Sequence, residues 1–222
     1  MKTKTALFGA AALMIVGWAV LPDASPATAI GAEPILQAVG LVLPAGGEAE
    51  FVGSNKCKKC HITQHKSWKK TPKFNAMDAL QPGNASEIKS KHDLDPQKDY
   101  TTDAKCLACH TTGYGHPGGY AIPEAGDEKK AKEMKKLAGV GCESCHGAGG
   151  AYIELHEEIM KSKRTYKVAE MYAAGMTKIE ATVCTTCHNE DNPTYDASKP
   201  FDFAAMKDKG GHDHSALKQR AD

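Results

Sequence analysis

Apolar residues are distributed along the chain in three different ways, and the first stretch is a continuous apolar run. The run covers residues 6–21, follows Lys2 and Lys4, and precedes an Ala-Thr-Ala sequence at residues 27–29. A positive start, an apolar run and an Ala-x-Ala site are the three parts of a signal peptide, so we predict one over residues 1–29. The run is shorter than the roughly 20 residues that span a bilayer, which disfavours a retained membrane anchor.

The second stretch, residues 30–52, is an apolar arm that precedes every motif with recognisable chemistry. Its apolar positions are Ile35, Leu36, Val39, Leu41, Val42 and Leu43. Such an arm either packs back over its own domain or docks on a neighbouring subunit, as an exposed apolar patch would. The pattern leaves both interpretations open.

The third stretch, residues 53–222, is predicted to be one domain of short helices and long loops. One apolar face has helical spacing and consists of Tyr152, Leu155, His156, Ile159 and Met160. Predicted N-caps are Ser54, Asp103, Asp127 and Thr177, the helix after Asp127 running to Ala138. Residues 113–119 and 193–200 are predicted loops. Strand signals are weak and no second apolar span follows, so we expect a mainly α fold with little sheet and no transmembrane segment.

One pentapeptide, Cys-x-x-Cys-His, occurs four times and uses all eight cysteines. Its copies are Cys57/Cys60/His61, Cys106/Cys109/His110, Cys142/Cys145/His146 and Cys184/Cys187/His188. In the attachment site of haem c, two thioethers fix the porphyrin and the histidine ligates the iron. Isolated Cys-x-x-Cys pairs also occur in thioredoxin-like and zinc sites, but neither chemistry requires a histidine after each of four pairs. The sequence therefore predicts four covalent haem c groups and leaves no cysteine for a disulfide.

Size and charge change the picture in two ways. The predicted mature chain, residues 30–222, is short for four haems, so we expect a core dominated by the cofactors and a fold that depends on them. The formal net charge of +1 becomes mildly acidic once the haem propionates are counted. Lys56, Lys58 and Lys59, beside the first motif, either neutralise propionates or face an acidic partner. Nothing in the charge pattern favours nucleic-acid binding.

The histidines outside the motifs are the candidates for the second axial ligand of each iron. They are His65, His92, His116, His156, His212 and His214. His65 lies one helical turn beyond His61 and so cannot reach the opposite face of the same haem. His156 lies on an apolar helix face, where a ligand belongs, and His116 is close enough in sequence to reach the haem of His110. Histidine at both axial positions tends to keep haem potentials low.

Several stretches resemble the tetrahaem cytochromes c-554 of nitrifying bacteria in order and spacing. They are Lys56-Cys57-x-x-Cys60-His61, Ser67-Trp68-Lys69, Leu94-Asp95-Pro96-x-Lys98-Asp99-Tyr100-Thr101, Gly118-Gly119-Tyr120 and Gly139-Val140-Gly141-Cys142-Glu143-Ser144-Cys145-His146-Gly147. The resemblance implies a largely helical fold with haems stacked in parallel and perpendicular pairs. It implies His156 as the distal ligand of the first haem and His212 as that of the fourth.

The sequence also departs from that family at three positions. The resemblance would place the distal histidine of the third haem where this chain has Lys73. In the family the second haem has an open site, and this chain has an additional histidine, His116, near the corresponding motif. With His65 and the apolar arm, these departures are similar to OmcE-type outer-surface cytochromes. In those proteins a histidine of one subunit ligates a haem of the next, so we treat His65 and His116 as candidate ligands within or between subunits.

The sequence favours electron transfer between redox donor and acceptor proteins, or to an extracellular acceptor, over catalysis. Two versions remain open, an exported soluble carrier in the periplasm and a subunit of a cell-surface filament. The alternative is a haem enzyme with an open iron site acting on small nitrogen oxides. Multihaem nitrite reductases typically mark the catalytic haem with Cys-x-x-Cys-Lys, which is absent here.

Overall fold

The computed structural model describes residues 49–222. The chain divides into two units, residues 1–42 and 43–222, and every described residue belongs to the second. The predicted signal peptide and residues 30–48 of the predicted arm lie outside the described residues. The part of the arm that is described, residues 49–52, leads directly into the first motif.

Ten short α-helices form the framework of residues 49–222. They are α1 (Ser54–Cys57), α2 (Ile62–Trp68), α3 (Ser86–Lys91), α4 (Ala104–His110), α5 (Glu128–Met134), α6 (Glu143–His146), α7 (Ile153–Ser162), α8 (Val168–Ala173), α9 (Ala181–Thr185) and α10 (Phe203–Met206). Single 3-10 turns lie at Asp78–Leu80 and Gly149–Ala151. The extended pairing in this part of the chain consists of two isolated bridges, Thr111 with Ala138 and Tyr166 with Arg220. The prediction of a mainly α fold with short helices, long loops and little sheet is confirmed.

Two small clusters of apolar side chains are buried without help from any cofactor. The larger one consists of Leu80, Tyr100, Leu107, Tyr120, Met134 and Leu137. The smaller one consists of Ile159, Tyr166 and Met171, with Tyr152, Leu155 and Met176 packed against it. Polypeptide side chains thus supply an apolar core of their own between the motifs.

The helix α7 carries the apolar face that the sequence predicted. Ile159 is fully buried and Leu155 packs beside it, but Met160 is exposed. His156 is half-buried, one turn before Ile159, and so points from the packed side of the helix. No helix within residues 49–222 combines the length and the apolar character needed to cross a bilayer.

Helix starts agree with the sequence in two cases out of four. Asp103 caps α4 through the Lys105 N–H, and Asp127 caps α5 through the Lys130 N–H. The predictions for Ser54 and Thr177 are wrong. Ser54 lies inside α1 and its hydroxyl accepts a hydrogen bond from the Cys142 N–H, while the Thr177 N–H bonds the His146 carbonyl. Each residue bonds another motif, Ser54 through its hydroxyl and Thr177 through its backbone N–H, and neither caps a helix.

Helix α5 also ends earlier than predicted, at Met134 rather than Ala138. The next residues turn so that Leu137 enters the larger core cluster and Ala138 pairs with Thr111. Gly139 follows with a positive φ of 82°, a conformation that glycine adopts without strain. This turn leads directly into the third motif, which begins at Cys142.

Candidate cofactor site

Each Cys-x-x-Cys-His motif forms a helical turn that brings its own cysteines and histidine together. The histidine N–H bonds the carbonyl of the first cysteine at 3.0 Å in the first, third and fourth motifs, through His61, His146 and His188. In the second motif the whole pentapeptide lies within α4. A turn of this kind projects two thiols and an imidazole to one side, as attachment and ligation of one haem require.

The fold brings the motifs together in pairs that are distant in sequence. The Cys57 and Cys142 thiols lie close enough for Cys142 to raise the pKa of Cys57 and for Cys57 to lower that of Cys142, so the first motif lies beside the third. The Cys109 and Cys187 thiols do the same for the second and fourth motifs.

The two pairs approach each other at Cys145. Burial raises the pKa of the Cys145 thiol most, and the nearby Cys184 thiol raises it further. The third motif therefore lies near the fourth. The four motifs therefore form one series in the spatial order first, third, fourth, second.

A buried carboxylate holds the third motif against the segment that leads into the first. Glu143, between Cys142 and Cys145, is only 2% exposed. Its carboxylate accepts hydrogen bonds from the N–H groups of Val52 (2.8 Å), Gly53 (2.7 Å) and Gly149 (2.7 Å). Three backbone donors compensate the cost of burying this charge.

Two hydroxyl groups fix the entry to the third motif from the other side. Thr112, two residues after His110, donates to the Gly139 carbonyl at 2.9 Å and accepts from the Gly141 N–H at 2.9 Å. Ser54 accepts from the Cys142 N–H at 3.1 Å. Glu143, Thr112 and Ser54 thus connect the third motif to the first and the second.

The imidazoles of His61 and His156 face each other across 95 residues of sequence. Their ring centroids are 5.1 Å apart with an interplanar angle of 45°. Burial, and secondarily the neighbouring His156 and His212, lower the pKa of His61 to about 4. A neutral imidazole is the form that binds a metal.

His212 stacks on His146, with ring centroids 6.1 Å apart and an interplanar angle of 23°. Its Nδ1 lies 2.7 Å from the Asp213 carbonyl, which can only accept, so Nδ1 carries the proton and Nε2 is left as the lone-pair donor. The Nε2 of His214, in contrast, contacts the Gly210 carbonyl. The resemblance implied that His212 serves the fourth motif; the structure places it at the third, because the segment after α10 returns to α6.

His110 is oriented by the main chain. Its Nδ1 lies 2.5 Å from the Ala76 carbonyl, which fixes the tautomer and leaves Nε2 free to bind a metal. Among residues 49–222, the ring contacts found for histidines do not include a second imidazole facing His110.

The surroundings of His188 differ from those of the other motif histidines. Its ring stacks on Phe201 at 4.7 Å and 16°. Burial, followed by the positive charge of Lys73, lowers the pKa of His188. The same lysine lowers the pKa of Cys145, opposing the larger effect of burial. Lys73 therefore lies near both the third and the fourth motif.

The other candidate histidines are not placed beside a motif histidine. His65 is 6% exposed and packs on Trp68, with ring centroids 5.2 Å apart. Its Nε2 is the one buried side-chain nitrogen or oxygen within residues 49–222 that has no hydrogen-bond partner. His116 is exposed and lies 6.5 Å from the Phe51 ring. His92 ends α3, away from the motifs in sequence.

These placements also bear on the filament hypothesis. A ligand for a neighbouring subunit has to be exposed, whereas His65 is buried and Lys73 is half-buried near two motifs. Within residues 49–222, His116 is the one exposed residue among the three that suggested a filament, His65, Lys73 and His116.

The donor set fits haem c. Each motif supplies two thiols and an imidazole on one helical turn, and two of the four motif histidines face a second imidazole at the centroid distances given above. His110 and His212 each have Nδ1 bonded to a carbonyl, which leaves Nε2 for iron. Sequence reasoning did not predict that this site includes Glu143, Thr112, Thr177 and Ala76. Of these four, only Glu143 lies in one of the stretches that carry the family resemblance, residues 139–147.

Comparison with known proteins points in the same direction. A family described as "Cytochrome c554 and c-prime" matches residues 56–147. The chain is 38% identical over 160 residues to cytochrome c-554 of Nitrosomonas europaea, an alignment that covers 69% of this chain and 65% of that protein, slightly less than two thirds of its length. The structure of reduced cytochrome c554 from the same organism superposes with a TM-score of 0.65 and 33% identity, covering 78% of this chain and 89% of that one.

Proposed function

The chain belongs to the cytochrome c554 family, and from that membership we propose that it transfers single electrons through four covalently attached haem c groups. The thioether bonds form at the cysteine pairs 57/60, 106/109, 142/145 and 184/187, and the proximal iron ligands are His61, His110, His146 and His188. When bound, haem iron supplies reversible one-electron oxidation and reduction.

The polypeptide's task in this function is to hold ligands and exclude alternatives. His156 serves as the distal ligand opposite His61, and His212 as the distal ligand opposite His146; the facing rings support both assignments. The hydrogen bonds from Nδ1 of His110 and His212 to carbonyls orient these rings and keep Nε2 available. Imidazole at both axial positions favours a low potential.

The series of motif contacts is the observation that carries this proposal. Groups anchored at adjacent thiols are themselves neighbours, so an electron entering at one end passes through the order first, third, fourth, second. A site that only bound a small molecule would have no need of a continuous series.

The series can be tested by removing one haem at a time. Replacing Cys142 and Cys145 with serine removes the third haem and interrupts the series, so electron equilibration between the first haem and the remaining two, measured after pulse reduction, should slow strongly. Replacing Cys106 and Cys109 with serine removes the terminal second haem and serves as the control, because the first, third and fourth remain connected. Equal rates in the two variants would refute the order.

The export route is part of the same proposal. We propose that residues 1–29 are removed during export and that the mature protein is a soluble carrier between a donor and an acceptor protein outside the cytoplasm. N-terminal sequencing of the mature holo-protein should begin at Ile30. A mature protein that retains Met1 would contradict this part and leave the haem assignment intact.

A second candidate function has one observation in its favour: the ring contacts found within residues 49–222 include no second imidazole facing His110. An open iron at this motif would bind a small nitrogen oxide, and an enzyme would in addition turn it over. Nitric oxide binding to the ferrous protein tests the open site, and consumption of nitrite or hydroxylamine tests catalysis. Binding without turnover would leave electron transfer as the function.

A further inference from the structure

His212, the proposed distal ligand of the haem at the third motif, lies in a segment without regular structure. The segment follows α10, covers residues 207–218 and contains no helix or strand. His212 is half-buried, but the three residues after it are exposed. Its ring nevertheless stacks on His146, with ring centroids 6.1 Å apart. An imidazole keeps such a position only if a more rigid part of the molecule holds the segment.

The rigid part is α2, and Ser67 makes its shortest contact with the segment. The Ser67 Oγ accepts a hydrogen bond from the Asp213 N–H at 2.6 Å. Ser67 donates its single hydroxyl proton to the Gln64 carbonyl at 2.9 Å. Oγ therefore presents a lone pair to Asp213, which is what a backbone N–H requires. The residue bonded in this way is the immediate neighbour of His212.

Little else bonds this segment to the rest of the domain. A second, longer hydrogen bond also comes from α2 and runs from the Gln64 Nε2 to the Ser215 Oγ at 3.4 Å. Within residues 49–222, the other hydrogen bonds found for residues 207–218 stay inside residues 203–222. Helix α2 is thus the element to which the segment carrying His212 is hydrogen-bonded.

Helix α2 is itself fixed to the opposite side of the same motif by the next residue, Trp68. The indole N–H donates to the Val140 carbonyl at 2.9 Å, two residues before Cys142. Trp68 is 8% exposed and packs edge-on against Phe74, with ring centroids 4.9 Å apart. Two consecutive residues of α2 therefore bond the two segments that form the third site. Trp68 bonds the segment that leads into the motif, and Ser67 bonds the segment that carries the distal histidine.

Asp213 transmits the contact to the ring. Its N–H bonds the Ser67 Oγ, and its carbonyl lies 2.7 Å from the Nδ1 of His212. The residue that Ser67 holds is therefore the one that sets the tautomer of His212 and leaves Nε2 for iron. Groups that orient a metal ligand through its second nitrogen affect how tightly the ligand binds the metal.

We propose that Ser67 is a positioning residue for the haem attached at Cys142 and Cys145, and that its hydroxyl holds His212 on the distal side of this haem. The bond to Asp213 is at the surface, so its loss should raise the detached fraction of His212 by about threefold to tenfold, as expected for one hydrogen bond of ordinary strength. The inference rests on the proposed attachment of haem at the third motif and on its proposed ligation by His212.

Binding of carbon monoxide to the ferrous holo-protein measures how often His212 leaves the iron, because carbon monoxide takes the sixth position only after the distal ligand has left it. His212→Ala identifies the third haem, as the binding phase that becomes much faster than in wild type. At low carbon monoxide concentration, the same phase in Ser67→Ala should be about threefold to tenfold faster than in wild type. Binding at an open iron beside His110 would be common to all variants.

A matched pair of variants isolates the hydroxyl from the shape of the side chain. Ser67→Thr and Ser67→Val introduce side chains of the same shape, of which only threonine can accept from Asp213. The threonine variant should bind carbon monoxide at the wild-type rate, and the valine variant at the rate of Ser67→Ala. Ser86→Ala removes a surface hydroxyl that bonds the Gly83 carbonyl at the start of α3, which carries no motif, and should leave the phase unchanged.

Intact mass and haem-peptide mapping of every variant separate this inference from the proposed function. Unchanged binding in Ser67→Ala and Ser67→Val, with a fast phase in His212→Ala, would overturn the role of Ser67 and leave the proposed function standing. Equal acceleration in Ser86→Ala would also refute it, because any lost surface hydroxyl would then have the same effect. Absence of a faster phase in His212→Ala would overturn ligation by His212, and a protein without haem at Cys142 and Cys145 would contradict the proposed function itself.

Discussion

Glu143 shows how a single side chain can organise a cofactor-binding motif without touching the cofactor's attachment atoms. It lies between two motif cysteines, yet its carboxylate points away to three backbone N–H groups at Val52, Gly53 and Gly149. The segment before the first motif is thereby fixed to the third. The same two motifs also approach each other at the Cys57 and Cys142 thiols, which shift each other's pKa.

Replacing this carboxylate with an amide should therefore be costly. In Glu143→Gln one oxygen becomes an NH2 group that faces backbone donors, so we expect the free energy of unfolding to fall by about 3 kcal/mol. Denaturant unfolding of the holo-protein, followed by circular dichroism, measures the change. Glu133→Gln, which alters an exposed glutamate of α5 paired with Lys130, should change stability by less than about 0.5 kcal/mol. Similar losses in both variants would contradict the role assigned to Glu143.

At the level of single residues, the sequence locates a side chain on a helix where one short pattern contains the information. The helical spacing of its apolar neighbours placed His156 on the packed face of its helix, and the resemblance paired it with the first haem; its ring faces that of His61. The partner of His212 was assigned to the wrong motif, because that pairing depends on how the segment after α10 returns to α6. The burial of His65 was missed for the same reason, since a position one turn from a motif indicates its direction but not what covers it.

Among the structural elements, the turn between α5 and α6 is the one most constrained by close packing. Gly139 has φ +82°, and a Cβ at this position would lie 2.5 Å from the Phe74 carbonyl oxygen. Phe74 follows Lys73, whose carbonyl accepts a hydrogen bond from the Val140 N–H at 2.9 Å, so the turn packs against both residues. The turn also carries the Gly139 carbonyl that accepts from Thr112.

The comparison of two glycine-to-alanine substitutions isolates this contact. Gly126 has a similar φ of +89° with open space around it, so Gly126→Ala should cost only the strain of the left-handed conformation, about 1 kcal/mol. Gly139→Ala should cost about 1–3 kcal/mol more, because the alanine methyl group meets the Phe74 oxygen. Urea unfolding of both variants provides the difference, and equal costs would mean that the turn shifts freely away from Phe74.

The helix ends illustrate why element boundaries were predicted unevenly. Asp103 and Asp127 each bond a backbone N–H two or three residues later, an interaction contained in the local sequence. Thr177 and Ser54 have the same cap-like composition but bond residues of other motifs instead. Whether such a residue caps a helix or bonds another motif depends on the tertiary arrangement, which the local sequence does not contain.

At the scale of the whole molecule, positive charge is concentrated around the first motif. Residues 53–73 contain no acidic residue, although the whole chain is nearly neutral. The exposed lysines of this stretch, here called the lysine face, are Lys56, Lys58, Lys59, Lys66, Lys69 and Lys70. Since the first motif is one end of the series, the lysine face surrounds a point where electrons enter or leave.

This charge should accelerate electron exchange with anionic partners. In Lys58→Glu/Lys59→Glu, reduction by the anionic iron–EDTA complex at low salt should slow by about tenfold, and the difference from wild type should shrink as salt screens the field. Stopped-flow absorbance measures both. Lys129→Glu/Lys132→Glu makes the same change in net charge on α5, which carries no motif, and should have a much smaller effect. A common slowing in both variants would indicate that net charge, rather than the lysine face, governs the rate.

The contacts between thiols of different motifs also constrain the order of biosynthesis. A chain that folded before receiving its cofactors would bring Cys57 against Cys142 and Cys109 against Cys187. In an oxidising compartment such neighbouring thiols cross-link, and each cross-link would consume one attachment point from two motifs at once. Correct maturation therefore requires haem attachment to the unfolded chain to be faster than disulfide formation on a folded one.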